Sequence, residues 1–172
     1  MQSASYICQH CGKEHCGFPF SFAADFPDPY ANLSREDREN RAVIASDQCI
    51  IDQEQFFIRG CIELPIRDSD SIFLWGVWAG VKEEVFDLVS DCWEAEGRER
   101  TIGPFKGRLA NSLSIYQETL SMRLEIQIQP VGTRPLFLLE ELDHPLSVEQ
   151  RTGITLQKAG EYACLLLRMA KI

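Results

Sequence analysis

The sequence has no long hydrophobic run. Its apolar stretches, such as Ile72–Trp75 and Cys164–Leu167, fall far below the ~18 residues of a membrane helix, so we expect no membrane association. The first residues, Met1 to Tyr6, carry neither a basic start nor an apolar run, so no secretory signal is expected. Chemical signatures are also few. There is no Gly-rich phosphate loop, no G-x-S-x-G and no H-E-x-x-H, and the chain has just three histidines. The familiar routes to phosphate binding, serine hydrolysis and zinc proteolysis are therefore missing at the level of motif.

Positive charge is the scarcer sign. Seventeen Lys and Arg against 26 Asp and Glu leave a net charge of −9. That field repels phosphate backbones and argues against nucleic acid as a partner. Basic residues thicken only around Arg98, Arg100, Lys106 and Arg108. They lack the pattern of interleaved aromatic residues that marks a nucleic-acid groove, so a solvated face is expected. With 172 residues, 45% apolar and 25% charged, the chain suits one globular domain over 1–172.

Within that domain, 1–17 read as a metal knuckle, 18–33 as an irregular wrap and 34–172 as the body. In 18–33, Pro27 and Pro29 argue against a regular helix. Ser34 caps a helix expected to run to Ala45. Phe56–Ile66 alternates, with Ile58, Ile62 and Leu64 on one face. A polar turn at 67–71 separates it from Ile72–Val81, which is apolar on both faces, so the two should pair as a hairpin. Lys82–Glu96 has helical spacing, with Gly97 as its stop. Pro104–Leu109, Ser121–Gln129 and Pro135–Glu140 read as further strands, and His144–Arg151 and a stretch after Thr155 as helices. The order predicts an α+β fold: a mainly antiparallel sheet packed with helices, preceded by an N-terminal zinc knuckle.

The chemistry-bearing run is Cys8-Gln9-His10-Cys11-Gly12-Lys13-Glu14-His15-Cys16. Seven cysteines in a chain expected to stay in the reducing cytoplasm point to metal before disulfides. Zinc takes four thiolate or imidazole ligands, and a thiolate-rich set closes its shell, so a structural Zn²⁺ is expected. Cys8, Cys11, His15 and Cys49 are the predicted ligands, with His144 as substitute for either of the last two. Free thiols at Cys8 and Cys11, or a redox C-x-x-C, are the alternatives. Cys61, Cys92 and Cys164 read as small buried hydrophobes. Trp75 and Trp78 fall on opposite faces of their strand.

Cys8-x-x-Cys11-Gly12-x-x-His15, Ser46-Asp47-Gln48-Cys49-x-Ile51-Asp52, Phe57-x-Arg59-Gly60, Phe73-x-Trp75-Gly76-x-Trp78 and Asp143-His144-Pro145-Leu146-x-x-Glu149-Gln150 together resemble the bacterial domain-of-unknown-function family 2199. The resemblance implies a cytosolic bacterial protein and supplies no activity. The functional expectation is a zinc-stabilised module that binds another protein. The alternative is a hydrolase dependent on the metal or on His144.

Overall fold

The computed structural model describes residues 5–7, 12–17 and 19–170. The elements run, in order, β1 (Ser5–Ile7), β2 (Glu14–Cys16), β3 (Ser21–Ala23), α1 (Asp28–Ala31), α2 (Arg35–Arg41), β4 (Ala42–Ile44), β5 (Gln48–Ile51), β6 (Gln55–Pro65), β7 (Ile72–Val81), α3 (Glu83–Asp91), α4 (Arg98–Thr101), β8 (Phe105–Leu109), β9 (Arg123–Gln127), β10 (Leu136–Leu139), α5 (Pro145–Thr152) and α6 (Leu156–Met169).

The expected hairpin is the centre of the fold. β6 and β7 pair antiparallel over ten residues, from Phe56↔Val81 to Pro65↔Ile72. β7 pairs with β8, β8 with β9 and β9 with β10, all antiparallel. β10 then returns to β6 in parallel, at Leu136↔Cys61. Five strands thus close on themselves, while β5 and β4 extend β6 and β3 flanks β7.

This corrects the expected architecture. The body is a closed five-stranded β-barrel with added strands and helices, not a mainly antiparallel sheet packed with helices, and no ligand group for a zinc knuckle occurs among the described residues. Gly60 is the physical reason closure is possible. A Cβ there would lie 2.4 Å from the Phe137 ring and 2.7 Å from the Pro135 carbonyl oxygen. The missing side chain admits the β10 strand, and Cys61 N–H donates to Pro135 O at 2.8 Å. An alternating pattern looks the same in an open and in a closed sheet.

Alternation sorts the side chains into two cores. Ile58, Ile62 and Leu64 of β6, Phe73, Trp75 and Val77 of β7, Leu124 and Ile126 of β9 and Phe137 of β10 fill the barrel, each 4% exposed or less. The opposite face of β5–β7 carries Cys49, Ile51, Phe57 and Trp78, joined by Ala110. A strap from Ala24 to Ile44 covers this second cluster through Tyr30, Leu33 and Ala42. Trp75 and Trp78 do point to opposite sides of β7, as the sequence predicts.

Asn111 fastens that strap. It is 2% exposed and stands where the β8 ladder ends. Its Oδ1 accepts from Trp78 N–H at 2.8 Å, and its Nδ2 donates to Phe26 O at 2.9 Å and Asp28 Oδ1 at 3.0 Å. A side-chain amide thus replaces a strand partner and satisfies backbone groups that burial would otherwise orphan.

Two local expectations need adjusting. Pro29 does not prevent a helix, because it lies in the first turn of α1, where a missing N–H costs nothing. The helix capped by Ser34, whose Oγ accepts from Asp37 N–H, stops at Arg41, and Ala42–Ile44 pairs with β5 instead. Among the described residues, no helix is long and apolar enough to cross a membrane.

Candidate ligand cleft over the β7–β8 seam

β7 and β8 pair at just two positions, Ala79↔Leu109 and Gly80↔Arg108. Register carries one row of residues across the outside of the barrel: Phe57 opposite Gly80, Gly80 opposite Arg108, and Arg108 opposite Arg123. Gly80 contributes no side chain to this row, so the surface dips between Phe57 and Arg108. The dip opens into a cleft of about 590 Å³, floored by Phe56, Phe57, Gly80 and Val81 and rimmed by Lys82, Lys106, Arg108, Arg123, Glu54 and Glu140. That volume lies within the range of small-molecule sites.

The rim carries four cations against two acids, in a chain whose overall charge is negative. Most of them are already committed. Lys106 bridges Glu140 and Glu125, and the Glu140 carboxylate raises its ammonium above the usual lysine range, despite some desolvation. Arg123 binds Glu141, Nε to Oε1 at 3.2 Å. Burial would raise the Glu141 carboxyl, but hydrogen bonds from the Arg123 backbone and side chain hold it low. Lys82 lies 3.8 Å from Glu84 with both side chains largely exposed, which binds it weakly. Arg108 differs from all three. Its Nη1 donates to Ser121 O at 3.1 Å, and it forms no ion pair among the described residues. The lining contains no Ser, Thr, Cys, His or Tyr, so its reactive side chains are Lys amines and Glu carboxylates, and Lys106 is already paired with Glu140.

The residues predicted from sequence lie elsewhere. Cys8 and Cys11 fall outside the described residues. His15 lies in β2 opposite Tyr6. Cys49 is fully buried in the second core, and burial pushes its thiol up to about 11. His144 is the N-cap of α5. Its Nδ1 accepts from Leu146 N–H at 3.2 Å, and its Nε2 faces Gln117 O at 2.7 Å, where it must donate. Both ring nitrogens are spent on the backbone. No group of three or more His, Cys, Asp or Glu that could hold a metal occurs among the described residues. Of the other cysteines, Cys164 is buried and Cys61 and Cys92 are half-buried.

The basic thickening at 98–108 divides in two. Arg98 is 3% exposed, not solvated. It donates to the carbonyls of Trp93, Gln129, Pro130 and Thr133 and lies over the Trp93 ring at 4.9 Å. Lys106 and Arg108 go to the cleft. Sequence reasoning missed the cleft because its parts come from five strands and loops; this thickening was its one local signal.

A second polar cluster closes the opposite end of the barrel. The buried Glu149 carboxylate accepts from Tyr116 Oη at 2.6 Å, from Tyr162 Oη at 2.8 Å and from the Lys158 ammonium. Burial first, and Glu149 next, raise both tyrosine hydroxyls above their usual range. Every carboxylate oxygen is engaged, so the cluster ties α5 to α6 and to the 110–120 loop and leaves nothing free for a substrate.

No curated protein and no solved structure matches the chain significantly. A family model described as an uncharacterized protein conserved in bacteria matches residues 7–154, a span that includes all the strands of the barrel and the residues flooring and rimming the cleft. The chain belongs to that bacterial family, DUF2199.

Proposed function

We propose that the protein is a binding module, not a catalyst, and that its site is the cleft over the β7–β8 seam. One observation carries this reading: a hollow of about 590 Å³ that combines an aromatic floor with charges mostly held in ion pairs. The binding role follows the sequence expectation, but the partner changes from another protein to a small organic ligand, because a concave site of this size suits one. A hydrolase built on His144 gains no support, since both of its ring nitrogens serve the backbone.

The experiment is a ¹H–¹⁵N correlation map of the full chain titrated with a mixture of small aromatic fragments. Shifts should gather at the Phe57, Gly80, Gly107 and Arg108 amides. Shifts gathered at the hollow between Trp93 and Arg134, or none at all, would end the reading.

Two further points belong to this proposal. A cytoplasmic location is supported by the thiols of Cys49, Cys61 and Cys92, which suit a reducing compartment. Zinc on Cys8 and Cys11 rests on the C-x-x-C spacing, with His15 and Cys49 as the remaining expected ligands. Metal analysis of purified protein should find one equivalent of zinc, lost in Cys8→Ser; metal-free protein of unchanged stability would dismiss it.

A further inference from the structure

Among the described residues, Arg108 is the one rim cation that no carboxylate answers, and it stands two strands from an aromatic ring. Phe57, Gly80 and Arg108 lie on adjacent strands in one register row. Neighbouring strands are about 4.8 Å apart, so the Phe57 and Arg108 backbones are roughly 10 Å apart across the hollow above Gly80. A phenyl ring joined to an acid group by two or three carbons fits that span.

The other charges narrow the choice. Glu140 and Glu125 neutralise Lys106, and Glu141 neutralises Arg123. One open guanidinium supports one anionic group. A polyphosphate or an acidic peptide run would meet those carboxylates and the net −9 of the chain. An amine would be placed against Arg108.

We infer that the cleft takes an organic monoanion with a planar apolar body, its acid group on the Arg108 guanidinium and its body over Gly80 against Phe57. This rests on the reading of the cleft as the binding site and names the class of its ligand. Guanidinium pairs with a carboxylate through two parallel N–H···O bonds, and the apolar floor contributes by removing the ligand's body from water.

Three probes of one shape test it: 3-phenylpropionate, 3-phenylpropanol and 3-phenylpropylamine, titrated by the same amide map and by calorimetry. The acid should bind about ten-fold more tightly than the alcohol, and the amine more weakly than both. Arg108 is exposed, so Arg108→Gln should fold normally and remove the acid's ten-fold advantage over the alcohol. Gly80→Ala offers a second handle. A Cβ there would meet the Phe57 ring at 3.5 Å, an ordinary contact, so the added methyl should raise the floor above Gly80 without breaking the strand and weaken all three probes.

Equal binding of acid, alcohol and amine at the cleft would overturn the anion and leave the cleft standing as a site. Acid binding that survives Arg108→Gln would overturn the role of Arg108. If none of the three shifts the cleft amides while the fragment mixture does, the ligand class falls and the site stays. If neither does, both fall.

Discussion

Arg59 and Trp78 share one acceptor. They face each other across β6 and β7, the guanidinium lies 5.6 Å from the indole centroid, and both donate to Ala24 O, Nη2 at 3.0 Å and Nε1 at 3.2 Å. Two residues of the barrel's outer wall thereby hold the start of the strap. Trp78→Phe removes one of those donors and trims a fully buried side chain. We expect a loss of about 1–3 kcal/mol in urea unfolding. Hydrogen exchange should rise in 24–33 more than in β9. Equal changes in both segments would show that Trp78 merely packs.

Gly60 tests the closure of the barrel. Alanine at this position would place its Cβ against the Phe137 ring and the Pro135 carbonyl, and backbone cannot yield as a flexible side chain can. Gly60→Ala should cost about 3 kcal/mol. Gly60→Ala with Phe137→Leu should recover part of it, measured by the same unfolding curves. No recovery would place the strain on the Pro135 carbonyl instead.

The Glu149 cluster predicts an alkaline weakness. Tyr116 and Tyr162 hold their protons more tightly in the folded chain than an ordinary tyrosine does. Their contribution is therefore complete below about pH 10, the unfolded value, and declines as pH rises beyond it. Unfolding midpoints at pH 8, 10 and 11 should fall more steeply for the wild type than for Tyr116→Phe. Parallel curves would assign the alkaline loss to other groups.

Cys49 should be inert. With no exposure and a thiol pushed up to about 11, it lacks both access and thiolate character. Peptide mapping after iodoacetamide should find Cys49 unlabelled in native buffer and labelled in urea, with Cys61 and Cys92 labelled first. Native labelling of Cys49 at the Cys61 rate would contradict its burial.

The residues that were easy to read share one property: their partners are close in sequence. The β6–β7 hairpin announces itself through alternation in Phe56–Ile66 and the polar turn at 67–71. Met122, Leu124, Ile126 and Ile128 face inward as their spacing predicts, each 6% exposed or less. Pro145 and Thr155 mark helix starts that the structure contains. What stayed hidden depends on distant chain. Ala42–Ile44 is apolar in a way that suits a helix end or a strand, and only β5 decides between them. Arg98 looks like a surface residue until four carbonyls, three of them some 30 residues away, are seen to surround it. The cleft row at 57, 80, 108 and 123 exists through register alone. Cys49, the ligand candidate nearest the knuckle in the sequence reading, faces an apolar cluster because its strand alternates that way.

The parallel seam between β10 and β6 also sets the order of events during synthesis. A ribosome delivers β6 through β9 first, and the seam cannot form until residues 136–139 have left the exit tunnel. Up to that moment a nascent chain exposes the β6 edge beyond Ile58 and a matching β9 edge, bordered by the buried side chains of Ile62, Leu64, Leu124 and Ile126. Fragments that end near residue 130 should therefore need a chaperone or precipitate, while the complete chain escapes that hazard when its last strand arrives.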